Sequence, residues 1–129
     1  MDNFYSKQIT SLEDDLKAFQ VVQNCHILKK TPRKDGYATF TIRILDENGK
    51  VKKTSVSCHR AALIVKLYKQ GAIDTLQIDE GLECSHLCHK KLCVNDQHLV
   101  LEERRVNDSR KLCSRRNACQ GGHMPACLL

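Results

Sequence analysis

Cysteines and histidines interleaved in the last third of the chain constrain its fold more than any other feature. Cys88, Cys93 and His98 follow one another at intervals of five residues, a tight knuckle for a tetrahedral metal ion that leaves its fourth ligand to come from elsewhere. A second set, at intervals of six, four and four residues, comprises Cys113, Cys119, His123 and Cys127. Thiolates combined with imidazole in closed sites favour zinc. The sequence therefore predicts two zinc ions with a structural role, because a filled tetrahedron leaves no open position for catalysis.

The composition also favours a metal staple. Only 41% of the 129 residues are hydrophobic and 5% are aromatic, so the core of one domain of this length would be thin. The first residues show no apolar segment of the kind found in secretory signals, and no stretch approaches the ~18 apolar residues of a membrane span. We therefore expect an intracellular protein, nuclear or cytoplasmic, with no membrane partner, where closely spaced cysteines bind metal. The interleaved histidines disfavour the alternative, a secreted disulfide-bonded domain whose signal has been removed.

Residues 1–83 are predicted to hold a helix, a basic β-hairpin and a core helix, within one domain that covers 1–129. Ser11 can cap the first helix, and Asn48-Gly49 can supply the positive φ angles of a hairpin turn. The predicted elements are a helix over about 12–22, a basic loop over 29–36, a strand from 37, a turn at 46–49, a returning strand over 50–57 and a helix from Ser57 to Gly71.

The charge distribution favours a polyanionic partner. The formal net charge is +6, and residues 25–66 hold ten basic side chains against three acidic ones. A basic two-stranded ribbon can enter the major groove of DNA, although an ordinary hairpin with a solvated lysine face would look the same in sequence. The candidate nucleic-acid contacts are Arg43, Lys50, Lys52, Lys53, Arg60 and Arg110.

Residues 84–129 are predicted to form the two-zinc region, in the order strand, metal-bearing loop, strand and helix. The strands fall at about 83–87 and 98–102, and the helix at about 103–112. His86 lies on the first strand and Asn107 on the helix, where asparagine has a poor intrinsic propensity and so calls for another explanation.

Residues 84–127 resemble the zinc-binding loop region of the His-Cys box homing endonucleases, a branch of the ββα-metal (His-Me finger) nucleases. A weaker resemblance extends upstream to Cys25 and the basic hairpin. The matching residues are Ser85, His86, Leu87, Cys88, His89, Cys93, Asn95, His98, Leu99, Asn107, Arg110, Cys113, Cys119, His123 and Cys127. The resemblance implies a small α+β fold in which zinc ions staple a ββα-metal motif.

The same resemblance assigns roles to individual residues. It implies that His86 is the general base and that Asn107 holds one catalytic Mg²⁺. It implies Cys25, Cys88, Cys93 and His98 as ligands of the first zinc and Cys113, Cys119, His123 and Cys127 as ligands of the second. Cys84 lies four residues before Cys88 and is an alternative to Cys25; otherwise Cys84 and Cys58 are small buried thiols.

Two functions follow from this interpretation. The leading one is a Mg²⁺-dependent endonuclease that hydrolyses DNA, or RNA, phosphodiester bonds. The alternative is a zinc module without enzymatic activity that binds nucleic acid or a protein partner. In this family an arginine on the hairpin normally stabilises phosphate charge. The candidates for that role here are Arg43, Lys52, Lys53 and Arg60. Asp96 departs from the family pattern. The chain also stops two residues after Cys127, so the tail-swapped dimer of the homing enzymes is not implied.

Overall fold

The computed structural model describes residues 2–78, 81–116 and 122–128. Across these ranges helices alternate with antiparallel strand pairs, which confirms the small α+β fold. The elements are α1 (Asp2–Leu16), β1 (Phe19–Val22), β2 (Cys25–Leu28), β3 (Thr39–Leu45), β4 (Val51–Ser57), α2 (Cys58–Lys69), β5 (Leu82–His86), β6 (Leu99–Glu103) and α3 (Arg104–Arg115). β1 pairs with β2, β3 with β4 and β5 with β6.

The predicted bounds of the first helix are wrong at both ends. The sequence predicted a helix over about 12–22, whereas α1 begins near the N-terminus and ends at Leu16. Its buried face continues upstream with a helical period and consists of Tyr5, Ile9 and Leu12. The segment that follows forms β1 instead. There the Phe19 ring stacks on His26 of β2, with 4.2 Å between ring centroids, a cross-strand contact that local periodicity does not reveal.

The basic hairpin and the core helix are confirmed. β3 and β4 pair antiparallel with Ile42 opposite Thr54, and Gly49 in the turn has a φ of +78°, which a residue without Cβ adopts freely. α2 begins directly after Ser57, as predicted, but the Ser57 side chain makes no capping hydrogen bond. α2 lies at the centre of the core: Ala61 and Ile64 are fully buried, and the helix packs against α1, β4 and β5.

The region after α2 has the predicted order of strand, loop, strand and helix. β5 and β6 pair antiparallel, and α3 packs against both strands. A buried ion pair joins α3 to this sheet: Arg110 donates from its terminal Nη2 to Glu102 Oε1 over 3.0 Å. The two side chains are only 1% and 9% exposed. Arg110 also donates to Cys127 Sγ over 3.5 Å, so one guanidinium connects the sheet, α3 and the C-terminal segment.

We expect Arg110→Met to lower the free energy of unfolding by about 3–5 kcal/mol. The substitution keeps much of the side-chain volume but leaves the Glu102 carboxylate buried without its partner. Urea denaturation of the zinc-loaded protein measures the change. Arg105→Met is the matched control, because the Arg105–Glu103 pair is exposed and should contribute less than about 1 kcal/mol. Equal effects of the two substitutions would show that the buried Arg110–Glu102 pair stabilises the fold no more than the exposed Arg105–Glu103 pair.

Candidate metal centres and active site

Four cysteine and histidine side chains meet where β2 lies against the loop between β5 and β6. The ligand atoms of Cys25, Cys88, Cys93 and His98 all lie within 4.8 Å of one another. His98 Nδ1 is 3.5 Å from Cys25 Sγ and 3.6 Å from Cys93 Sγ. Zinc bond lengths of about 2.3 Å to sulfur and 2.0–2.1 Å to nitrogen give a tetrahedron edge of about 3.6 Å between these atom types. The group therefore has the chemistry and the spacing to hold zinc.

Backbone hydrogen bonds between β2 and the knuckle bring Cys25 to this group. The Leu28 amide donates to the Leu92 carbonyl over 2.9 Å, and the Val94 amide donates to the His26 carbonyl over 2.8 Å. Cys25 is 2% exposed. These bonds place its thiol beside the other members of the group, which lie more than sixty residues later in the chain.

Cys84, the alternative fourth ligand, lies elsewhere. It is a β5 residue in the hydrophobic core, and burial raises the pKa of its thiol to about 12. Cys58 is similar, because burial raises its pKa to about 11. Both are therefore neutral buried thiols at physiological pH, and the geometry favours Cys25 as the fourth member of the group.

The thiols of this first group share protons unevenly. A hydrogen bond from Cys88 lowers the pKa of Cys93 to about 5, since it stabilises the thiolate. The same interaction with Cys93, followed by burial, raises the pKa of Cys88. A bound dication would take the place of these protons, which is why thiolate metal sites depend on pH.

A second group forms between α3 and the C-terminal segment. Cys113, His123 and Cys127 have ligand atoms within 4.8 Å of one another, and His123 Nδ1 is 3.7 Å from Cys113 Sγ and 3.6 Å from Cys127 Sγ. The Ser109 hydroxyl is hydrogen-bonded to the other ring nitrogen over 2.9 Å, which orients Nδ1 towards the sulfurs. Cys119, the fourth predicted ligand, lies outside the described residues. The three described members fit a zinc ion as the first group does.

His86 and Asn107 line a single cavity of about 520 Å³. It lies between β5, α3, the start of α2 and the loop that precedes β3. Both predicted catalytic positions therefore face the same space, although they lie on different elements. Three cations also line it, Arg60, Lys91 and Lys111, together with the carboxylates of Asp35 and Glu83.

The hydrogen bonding of His86 defines its tautomer. His86 Nε2 lies 3.1 Å from the carbonyl oxygen of Cys93, and a carbonyl can only accept, so the proton of the neutral ring is on Nε2 and the lone pair is on Nδ1. Burial is the main cause that lowers the pKa of His86 to about 3, and the neighbouring His59 adds to this shift. The imidazole is thus neutral at physiological pH and able to accept a proton at Nδ1.

Asn107 on α3 faces β5. Its side-chain Nδ2 donates to Glu83 Oε1 over 2.9 Å. Because amide oxygens are hard donors, the remaining Oδ1 is of the ligand type that Mg²⁺ prefers. The residue therefore fits the metal-binding role that the sequence predicted for it.

His59 is a site residue that the sequence did not indicate. Its ring lies 4.2 Å from that of His86 and 5.3 Å from that of Tyr37. Burial, with a smaller contribution from the charge of Arg60, lowers the pKa of His59 to about 4. Within the described residues its buried Nδ1 has no hydrogen-bond partner. His59 stands at the start of α2 beside Cys58, without a ligand-type spacing to other residues, so no local signal could have identified it.

The predicted nucleic-acid contacts fall into three environments. Four are exposed on the hairpin: Arg43, Lys50, Lys52 and Lys53. Arg60 lines the cavity, and its guanidinium donates to the carbonyls of Leu82 and Ile78. Arg110 is corrected, because its complete burial with Glu102 leaves no surface for a phosphate. Lys91, which the sequence did not single out, and Lys111, which the sequence places among the basic residues of the last helix, are better placed than the hairpin cations for a ligand in the cavity.

No helix among residues 2–78, 81–116 and 122–128 has the length and apolar character needed to cross a membrane.

Comparison with known proteins agrees with this geometry. No individual curated protein matches the chain. A family model, the zinc-binding loop region of homing endonuclease, matches residues 24–128, which include both cysteine and histidine groups and β2. The resemblance predicted from the sequence is confirmed, and the chain belongs to the family of homing-endonuclease zinc-binding loop regions.

Proposed function

We propose that this protein is a Mg²⁺-dependent endonuclease that hydrolyses DNA phosphodiester bonds and carries two structural zinc ions. The observation that supports this proposal most directly is the meeting of His86 and Asn107 in one polar cavity. A module that only binds nucleic acid would need neither an imidazole nitrogen able to accept a proton nor the amide side chain of Asn107 in the same cavity.

His86 is the general base in this proposal. Its Nε2 proton is held by the Cys93 carbonyl, so Nδ1 is the atom that removes a proton from the attacking water. A phosphodiester in the cavity would raise the pKa of His86 above its value in the free protein, since a nearby negative charge favours the imidazolium. The zinc group that contains Cys93 thereby also orients the base.

Asn107 would hold Mg²⁺ through its side-chain oxygen. When bound, the ion would stabilise negative charge on the phosphate and on the leaving oxygen. Lys91 and Lys111 line the same cavity and would contact the phosphates on either side of the scissile bond, while the exposed lysines of the hairpin extend the binding surface.

Supercoiled plasmid with Mg²⁺ or EDTA tests the proposal. Wild-type protein is expected to nick the plasmid only with Mg²⁺. Asn107→Ala should slow nicking about 100-fold or more, because a metal contribution of several kcal/mol to the barrier would be lost. Gln20→Ala, which removes an exposed amide side chain of β1 that does not line the cavity, serves as the control and should nick at the wild-type rate. Nicking by Asn107→Ala at the wild-type rate would refute the metal assignment.

A second candidate is a zinc module that binds nucleic acid without cutting it. The observation that favours it is the position of Arg43, Lys50, Lys52 and Lys53, which are exposed on the hairpin and do not line the cavity. Binding through such cations weakens steeply as salt rises. Plasmid that stays intact with Mg²⁺ while a labelled duplex binds with this salt dependence would favour the second candidate over the first.

A further inference from the structure

Glu83 and Asn107 form a pair within the cavity that His86 also lines. Glu83 lies on β5, three residues before His86, and its Oε1 accepts the 2.9 Å hydrogen bond from Asn107 Nδ2. We propose that Glu83 is a positioning residue that turns the Asn107 side-chain oxygen towards the divalent cation and so sets the affinity for it. This inference rests on the proposed nuclease function and names a residue that the family resemblance did not assign.

The direction of the Asn107 amide follows from the chemistry of its neighbour. A carboxylate accepts hydrogen bonds and cannot donate them, so only the NH₂ end of the amide can face Glu83. Oδ1 must then point the opposite way. No group of residues 2–78, 81–116 or 122–128 donates a hydrogen bond to that oxygen. Glu83 therefore selects one of the two orientations available to an asparagine side chain, the one with a free oxygen.

The surrounding charges indicate that this carboxylate does more than stabilise the fold. Glu83 stands directly opposite Glu102 in the β5–β6 pair, and like charges at facing positions are unfavourable. Glu102 is neutralised by Arg110, whereas Glu83 has the neutral Asn107 and a 3.9 Å contact with Arg104, whose side chain is 80% exposed. Such an exposed contact contributes little. A glutamine at position 83 would suit the fold at least as well, so the charge has its use in the cavity.

Glu83→Gln separates the positioning role from a structural one. Glutamine keeps the length and can still hydrogen-bond Asn107, but its own NH₂ group can donate to Asn107 Oδ1 and stabilise the reversed amide. We expect the zinc-loaded Glu83→Gln variant to bind Mn²⁺ about 10- to 100-fold more weakly than the wild type. Electron paramagnetic resonance measures this affinity. The Mg²⁺ concentration for half-maximal plasmid nicking should rise by the same factor. The thermal unfolding midpoint should stay at or above the wild-type value.

The matched control is Glu103→Gln. Glu103 belongs to the same sheet but bonds Arg105 at the surface, so Mn²⁺ affinity should equal that of the wild type. Wild-type Mn²⁺ affinity in Glu83→Gln, with Mg²⁺-dependent nicking intact, would overturn the positioning role and leave the proposed nuclease standing. A wild-type protein that neither binds Mn²⁺ nor nicks plasmid would overturn both.

Discussion

Replacement of His86 by alanine is expected to slow plasmid nicking by about 100- to 10,000-fold, the usual contribution of a positioned general base. The loss follows from the tautomer: the Cys93 carbonyl holds the proton on Nε2, so Nδ1 is the atom with a lone pair. Alanine removes this acceptor from the cavity. Single-turnover nicking at saturating Mg²⁺ measures the chemical step without the contribution of product release.

The control must exclude damage to the neighbouring cysteine and histidine group, because His86 is hydrogen-bonded to the backbone carbonyl of Cys93, a member of that group. Zinc content should therefore remain at two per chain in His86→Ala. His26→Ala offers a matched substitution, since His26 stacks on Phe19 in the β1–β2 hairpin and does not line the cavity. It should nick at the wild-type rate. If His86→Ala retained both its zinc and its wild-type rate, His86 would not be the base.

Replacement of Cys25 by alanine is expected to remove one zinc ion per chain and to abolish cooperative folding at moderate temperature. Structural zinc sites contribute about 10–16 kcal/mol of apparent binding free energy, which is comparable with the whole stability of a domain, about 5–15 kcal/mol. The first group also joins the β1–β2 hairpin to the loop after β5, so its loss would release both segments. Zinc analysis and thermal unfolding measured by circular dichroism test the two parts of the expectation.

Cys84→Ala is the comparison that decides between the two candidate ligands. Cys84 is 6% exposed and Cys25 is 2% exposed, so each substitution removes a buried sulfur of equal size. Cys84→Ala should retain two zinc ions and lose about 1–2 kcal/mol of stability, as expected for a small cavity in the core. Loss of zinc from Cys84→Ala but not from Cys25→Ala would identify Cys84 as the ligand. Full zinc content in both variants would show that neither cysteine is needed to hold the first zinc ion.

Local patterns in the sequence were sufficient for much of the fold. The apolar and polar alternation of β3, the Asn48-Gly49 turn and the start of α2 after Ser57 all involve residues close together in the chain. The knuckle is equally local, because Cys88, Cys93 and His98 are close enough for a short loop to bring them together. α1 was mispredicted because a plausible cap at Ser11 concealed the buried face that continues upstream of it.

Other features depended on tertiary packing. The sequence by itself determined the ligand chemistry of the chain, the hairpin and the positions of His86 and Asn107 on their elements. Only the tertiary structure decided that Cys25 rather than Cys84 meets the knuckle, that Arg110 is buried, and that His59 and Glu83 lie in the site. The physical reason is that periodicity and spacing describe neighbours along the chain, whereas burial and ligand geometry arise between elements whose approach is set by the whole core.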